Sequence, residues 1–581
     1  MVKQIRKLKS LYLTFLFLTF KTNFKTYCCQ NFNHNTTIFL LMSSNSSTHY
    51  SRHLLDFSKT NQFSGLFLDF ISQKENLREF YGNLPQLEDF EKQIELKINR
   101  QKRDKNLDNH KREILVNTLH NQYSKTENPP TETINLLQKE TTFTLTTGHQ
   151  LNIYTGTLYF HYKIQTVINA CKILKEKYPN YDFVPVYWMA SEDHDLEEIA
   201  SFNLFGTTYT WQTDQKGAVG RMNTKGLNDL GFKEEKAKEL GKFYKNAETK
   251  NENLTHATRQ IVHSFYQKDD LVILDGDDAA LKRLFIPIIK NELETQNSHL
   301  KIEESSKKLD ELGYKTQVTP REINLFYLED NLRERIVKNE NTKTFEILNT
   351  DITFSASEMM ELVESNPEKF SPNVALRPVY QEIILPDLSY TGGPGELAYW
   401  LQLKSMFEYF EVDFPILLPR NFVLFIPKVI HQKMNKTNLS FEEIFNSFDR
   451  LRINYATQNA ENDVLLENER KEIESIFDKI EAKSIKTDTS LQKSIAAEKH
   501  KALKRIEHIS KKLRKAEERK LSDAIGQIKS VKENLFPKGS LQERYDNFLS
   551  FAINDEDFLD KIQDVLNPFD LRFLVVTESN I

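Results

Sequence analysis

The densest ionisable cluster in the chain is Ser191-Glu192-Asp193-His194-Asp195. One histidine among three acidic residues suits general acid–base chemistry, because carboxylates hold an imidazole tautomer and raise its basicity. His194 with Asp193 or Asp195 can also ligate a metal. Alternate residues of an extended segment face one side, so Asp193 and Asp195 can project together. A structural role competes: Ser and Asp cap helix N-termini, and acids there oppose the helix dipole. A second group is Gly148-His149-Gln150, followed by Thr155-Gly156. It reads as a strand–loop–helix junction, where backbone amides can approach phosphate. No Gly-Lys-Ser/Thr follows and no GxGxxG is present, so a tight βα turn reads the same way. The third group, Thr391-Gly392-Gly393-Pro394-Gly395-Glu396, precedes a helical run at 397–410. Gly393 and Gly395 permit close backbone approach to a ligand, and Glu396 falls in the first helical turn. A plain loop and helix start is the alternative. Arg377 and Arg420 each adjoin a proline. Either can bind a carboxylate or phosphate, or serve a structural ion pair.

These groups need elements to hold them. Thr142-Phe143-Thr144-Leu145-Thr146-Thr147 reads as a strand ending in Gly148-His149-Gln150. A helical run follows at about 158–177. A second apolar strand, 183–189, ends in the Glu192–Asp195 cluster. Further strand candidates are 271–275, 414–418 and 573–576. Apolar strands alternating with amphipathic helices indicate an α/β fold on a parallel sheet. Ligands bind such sheets at strand carboxyl ends, where the first two polar groups fall. The stretch 51–127 reads as helical up to the break at Asn128-Pro129-Pro130, with Leu66, Phe67, Phe70 and Ile71 on one face. Between 206 and 373 the pattern is mixed, with Gly217–Arg221 as a turn beside a strand, and insertions into the core would explain it.

The region 461–534 is charged and free of proline. Ala502, Ile506, Ile509, Leu513 and Ala516 alternate steps of four and three, the seam of a coiled coil. Lys520, Ala524 and Ile528 then advance by four, a stutter. Leu466, Ile473, Ile476 and Ile480 mark a shorter seam. The expectation is an antiparallel hairpin whose longer arm extends roughly 60 Å at about 1.5 Å per residue. Phe536-Pro537-Lys538-Gly539 ends it.

The chain has 581 residues, room for two or three structural units. Hydrophobic residues make up 39% and charged residues 28%. The net charge of -5 gives no basic domain, so no nucleic-acid partner is expected. Among the 3 cysteines, Cys28, Cys29 and Cys171, there is no CxxC pair, which removes zinc-ribbon and thioredoxin motifs. Cys171 reads as a small buried hydrophobe in a reducing, cytoplasmic setting. Residues 1–10 are basic and 11–20 apolar, like a signal peptide. No small-residue cleavage site follows, and the run is too short to span a bilayer. Residues 1–41 are therefore read as a mis-called start or a disordered leader, with no membrane partner.

Four blocks together resemble the bacillithiol-synthesis cysteine ligase family. They are Thr147-Gly148-His149-Gln150 with Tyr154-Thr155-Gly156 and Tyr162-Lys163; the segment from Pro185 to Glu198; Gly393-Pro394-Gly395-Glu396-Leu397-Ala398-Tyr399-Trp400 with Pro415 to Arg420; and Leu535-Phe536-Pro537 with Leu541-Gln542-Glu543-Arg544. The likeness runs from about His53 to the end. It implies a Rossmann-like core at 42–426 with inserted connecting-peptide subdomains, mainly at 206–373. It also implies a dimerising coiled-coil hairpin at 427–540 and a segment, 541–581, that returns to the core. The implied activity is a carbon–nitrogen ligation of L-cysteine to glucosaminyl malate, the last step of bacillithiol synthesis. The fold's likeness to class I aminoacyl-tRNA synthetases implies carboxyl activation by a nucleotide, ATP or ADP, with the cofactor itself unassigned. His149 stands where many members have a second glutamine, and Thr157 where proline is usual.

On this reading Glu192, Asp193, His194 and Asp195 carry the chemistry. Gly148, His149, Gln150, Gly156, Lys163, Arg377, Gly393, Gly395, Glu396 and Arg420 bind substrate or nucleotide, and no metal is assigned. Residue types alone leave two other readings. One is a metal-dependent hydrolase using His149, His194 and the acids, marked by zinc lost in His194→Ala. The other is a non-catalytic coiled-coil scaffold that binds no nucleotide or sugar.

Overall fold

The computed structural model describes residues 48–580 apart from residue 104. The leader 1–41, with Cys28 and Cys29, lies outside the described residues. In chain order the strands are β1 (Thr48–Leu55), β2 (Thr142–His149), β3 (Asp182–Met189), β4 (Ser201–Leu204), β5 (Thr207–Thr210), β6 (Val272–Asp275), β7 (Leu325–Glu329) and β8 (Leu332–Asn339). They continue as β9 (Thr344–Ile347), β10 (Thr353–Phe354), β11 (Phe370–Pro372), β12 (Asp387–Gly392), β13 (Ile416–Pro419), β14 (Val423–Ile426) and β15 (Phe573–Asn580).

The central sheet has five strands in the order β13-β12-β2-β3-β6, and every pairing is parallel. Helices cover both faces, so its strands are apolar runs without a solvated side. On one face Phe143 and Leu145 pack with Val167, Cys171 and Leu174 of the helix Tyr159–Lys177, and with Phe90 and Ile94. On the other, Thr144 and Thr146 donate to Asp387 Oδ1 at 2.9 and 2.8 Å. Burying a charged or polar group in a sheet core is tolerable only when it is hydrogen-bonded in this way. From β2 the chain builds outward to β3 and β6, then returns to the opposite side of β2 for β12 and β13. The order reverses between β2 and β12. In open α/β sheets a ligand crevice forms at such a reversal, at the strand carboxyl ends.

The insertion between β6 and β12 holds a five-stranded antiparallel arrangement in the order β10-β9-β8-β7-β11. A third sheet joins both ends of the described chain, β1-β15-β14. Residues 51–55 are therefore strand and not helix. Pairing with β15 overrides their weak helical pattern, because strand preference follows the neighbours available. Within Gly217–Arg221, Val219–Arg221 is a 3-10 turn bonded to the loop after β3, and Gly217 lies against Leu332, the first residue of β8.

The helices Glu467–Thr487 and Gln492–Lys520 form an antiparallel hairpin. Lys499 meets Asp478 at 2.6 Å, and Ser510 Oγ donates to the Val464 carbonyl at 2.6 Å. The longer helix has 29 residues, about 44 Å at 1.5 Å per residue, short of the expected arm. It stops at Lys520, and Ser522–Leu535 starts anew where the stutter falls. Ile528, Val531 and Leu535 of that last helix are buried. The expected seam is only partly internal. Ser510 and Glu517 are buried, whereas Ile476, Ile480, Ile509 and Leu513 are 40% exposed or more. Heptad spacing defines an apolar stripe, but not the surface it meets.

Candidate functional site at the strand carboxyl ends

The register aligns His149 with Met189, and Met189 with Asp275, so three loops leave the sheet along one row. At the switch point, Lys163 reaches up from the helix Tyr159–Lys177. Its Nζ donates to the Gly148 carbonyl at 2.7 Å and lies 2.7 Å from Glu396 Oε2. Tyr390 OH donates to Glu396 Oε1 at 2.6 Å, and the Gly393 N–H donates to Oε2 at 2.9 Å. Burial opposes the charge on Glu396, but Lys163 and these donors hold its carboxyl below the usual range. Burial in turn lowers Lys163, with Glu396 opposing the shift. Glu396 thus closes the turn that Gly393 opens and takes that turn's leading amide for itself. Gly395 has open space around it. A Cβ at Gly148 would stand 3.2 Å from Tyr390 OH, so a larger residue there would press on the hydroxyl that holds Glu396.

Arg377 lies above this group. Its Cζ is 5.8 Å from the Trp188 ring centroid and 5.6 Å from that of Tyr390, and Nη1 donates to Gln381 at 3.0 Å. It is half-buried and, among the described residues, has no carboxylate within 4.0 Å. Arg420 is placed differently. It makes a bidentate pair with Glu543 at 3.0 and 2.5 Å, with side-chain exposures of 1% and 0%. Only its buried Nε lacks a partner. His149 packs against Tyr159 and Phe160 at centroid distances of 5.2 and 5.1 Å. Burial, then the charges of Lys163 and Arg420, push its imidazole well below the ordinary value, so it is neutral at pH 7.

The acidic cluster divides its tasks. Glu192 is buried against Lys282 Nζ at 2.6 Å. Lys282 also meets Asp277 at 3.3 Å, and Arg221 clamps Asp277 at 2.7 and 2.9 Å. Ser191 Oγ donates to Asp275, whose carboxyl is pushed up to about 6 by burial and by Asp277. Asp193 Oδ1 accepts the His194 N–H at 2.8 Å, and Oδ2 accepts from Gln150 Nε2 at 2.8 Å. Gln150 also reaches Glu198 at 2.6 Å, tying the β2 loop to the β3 loop. Asp195 caps the short helix Leu196–Ile199 through the Glu198 N–H at 3.2 Å. His194 is half-exposed, and Arg333 of β8 donates to its Nδ1 at 2.7 Å. Burial and Arg333 lower its pKa, against Asp193, Glu334 and Asp195.

The loop after β2 stores strain. Tyr154, Thr155 and Gly156 have φ of 52°, 66° and 63°. Positive φ costs about 1–3 kcal/mol for a non-glycine residue and persists only where neighbours enforce it. Asn547 enforces it here, donating to the Tyr154 and Gly156 carbonyls at 2.8 and 2.6 Å.

Lys163, Glu396, Arg377, Gly148 and His149 therefore share the switch-point crevice. The Glu192–Asp195 cluster occupies the neighbouring strand end, linked through Gln150. Sequence reasoning missed Arg221, Lys282, Arg333, Tyr390 and Asn547. It also passed over Asp275-Gly276-Asp277-Asp278, which the strand-end rule applied to 271–275 would have found. Among the described residues no three His, Cys, Asp or Glu side chains gather as a metal-ligand set. No described helix is long and apolar enough to cross a membrane. A cavity of about 110 Å³ opens near Pro386, at the amino end of β12, where Lys97, Arg100 and Arg112 are already ion-paired.

A parallel sheet with polar loops converging on its switch point, joined to a helical hairpin, defines a Rossmann-like enzyme with a coiled-coil appendage. Residues 52–421 match the family described as Bacillithiol biosynthesis BshC, N-terminal Rossmann-like domain, and residues 423–578 match its C-terminal coiled-coil domain. The chain belongs to the bacillithiol biosynthesis BshC family. A Flavobacterium psychrophilum relative named "Putative cysteine ligase BshC" is 43% identical over 536 residues, covering 90% of this chain and 99% of its own. Relatives of the same name from Flavobacterium johnsoniae and Cytophaga hutchinsonii are 43% and 40% identical, covering 90% and 89% of this chain and 99% and 97% of their own. With its family, this chain is a ligase of bacillithiol biosynthesis.

Proposed function

We propose that this chain joins the carboxyl of L-cysteine to the amine of glucosaminyl malate, the last step of bacillithiol synthesis, in the cytoplasm and as a homodimer. The observation that carries the reading is Arg377. A half-buried guanidinium with no carboxylate partner, beside a switch-point crevice, suits an acceptor that carries two malate carboxylates. Arg420 is already committed to Glu543, so Arg377 is the stronger clamp. Lys163 and Glu396 hold the crevice floor in shape, and the Glu192–Asp195 cluster meets the acceptor from the neighbouring strand end, with Asp193 orienting the amine and His194 hydrogen-bonding the reacting oxygen.

The likeness to class I synthetases suggests a nucleotide, ATP or ADP, for activation of the cysteine carboxyl, with the cofactor itself unassigned. Its phosphates would need cations. Arg377 and the exposed Arg544, which lies over the Tyr159 ring at 5.8 Å, are the guanidiniums near this crevice without a carboxylate partner among the described residues. The hairpin's outward Ile476, Ile480, Ile509 and Leu513 suit a second copy, since exposed apolar stripes of this spacing call for a partner helix.

Thiol profiling by mass spectrometry in a strain lacking the gene tests the reading. Loss of bacillithiol with accumulated glucosaminyl malate, restored by the intact gene but not by His194→Ala, is expected. An unchanged thiol profile in a strain with no second ligase would remove the assignment.

A further inference from the structure

Arg333 reaches His194 from outside the Rossmann-like core, across the antiparallel insertion. Its side chain is 7% exposed, and its position is fixed from several sides. Cζ stands 3.9 Å from the Phe326 ring centroid, Nε donates to Ser371 Oγ at 3.2 Å, and Nη2 donates to the Pro372 carbonyl at 3.3 Å. That leaves Nη1 aimed at His194 Nδ1, 2.7 Å away. A guanidinium has five donors and no acceptor. The His194 nitrogen it meets must therefore carry a lone pair and no proton. Asp193 Oδ1 is the competing partner, and would accept from a protonated Nδ1, but it lies 3.7 Å away and already accepts the His194 backbone N–H. The shorter, charge-assisted contact wins. The Phe326 ring, 5.5 Å from the imidazole, holds the other side. Nε2 has no hydrogen-bond partner among the described residues.

We propose that Arg333 is a positioning residue that locks His194 as the neutral Nε2–H tautomer, so that His194 offers substrate a hydrogen-bond donor and not a base. The donor would meet an oxygen, carbonyl or carboxylate, where negative charge develops. That choice of acceptor rests on the ligase reading; the tautomer lock does not. The charged groups facing the imidazole are Arg333 and Glu334 from β8, and Asp193 and Asp195 from its own loop. The two cluster acids next to it already accept backbone N–H groups.

The test is ¹⁵N NMR of histidine-labelled full-length protein, with the His194 signals identified by their loss in His194→Gln. The wild type should show a protonated Nε2 and a bare Nδ1, and should stay neutral as the pH falls through 6.5. Arg333→Met should release the lock, giving mixed tautomers and a higher protonation midpoint, and Arg333→Lys should partly restore the wild-type pattern. A protonated Nδ1 in the wild type would overturn the proposal, as would an Arg333→Met spectrum identical to wild type. Should Arg333→Met not fold, the wild-type tautomer decides alone. A locked Nε2–H tautomer in protein that forms no amide would retire the ligase reading and leave the lock standing.

Discussion

At the strand ends, Arg420 and Glu543 meet with side chains 1% and 0% exposed. On the hairpin, Lys499 meets Glu474 and Asp478, which are 46% and 58% exposed. The same chemistry has opposite consequences. Removing one partner from a buried pair leaves a charge with neither water nor counter-ion, whereas exposed partners are rehydrated. Apolar side chains reverse the pattern. The crevice walls bury Trp188, Tyr390 and Trp400 almost fully, while the hairpin leaves Ile476, Ile480, Ile485, Leu491, Ile509 and Leu513 exposed. The crevice is a finished surface lined with groups already fixed in place. The hairpin keeps an apolar stripe in solvent.

The largest effect should come from the buried pair. Arg420→Ala should lower unfolding free energy by about 3–5 kcal/mol, because Glu543 is left charged in the core. A denaturant titration reads it, and a loss near zero would mean that the pair is solvated. Next is the support under the strained loop. His161 bridges Thr155 Oγ1 at 2.9 Å and Tyr266 OH at 2.8 Å, and burial pushes its imidazole down to about 3. A depressed histidine stabilises the fold above its unfolded pKa of about 6.5, and that contribution erodes as pH falls from there toward 3. Below pH 6, stability should fall less steeply in His161→Gln than in the wild type, by up to about 1.4 kcal/mol per pH unit. Parallel slopes would show that His161 is accessible to protons in the folded state. On the hairpin, Ile509→Asp should abolish self-association in sedimentation velocity, with unchanged circular dichroism; a dimer that persists would place the second copy elsewhere. Smallest of all, Lys499→Ala should leave the unfolding midpoint where it is, and a clear drop would mean that the hairpin relies on that contact.

Much of the crevice was legible in the sequence because its makers are local. The apolar runs at 142–147, 183–189 and 573–576 lie wholly in strands, and those at 271–275 and 414–418 overlap β6 and β13, since parallel strands buried on both faces carry no alternation to confuse. The glycine turns and the acidic cluster follow directly at strand ends. What the sequence hid is set by distance along the chain. Arg333 meets His194 across 139 residues, Arg420 meets Glu543 across 123, and Asn547 pins Gly156 across 391. No periodicity encodes such pairs. The strand β8, Leu-Arg-Glu-Arg-Ile-Val-Lys-Asn, is charged enough to pass for an exposed segment. It is a strand because β7 and β9 flank it. The hairpin stripe was legible as a seam, but heptad spacing names a face and leaves its partner open.

Calorimetric titration of the purified full-length protein with glucosaminyl malate tests the central claim most directly, comparing wild type with Arg377→Ala and Ile509→Asp. The crevice assignment predicts binding by the wild type and by Ile509→Asp, and affinity weakened at least tenfold in Arg377→Ala, about 1.4 kcal/mol or more. Equal affinity in Arg377→Ala and wild type would place the acceptor elsewhere, and no binding by the wild type would contradict glucosaminyl malate as the acceptor.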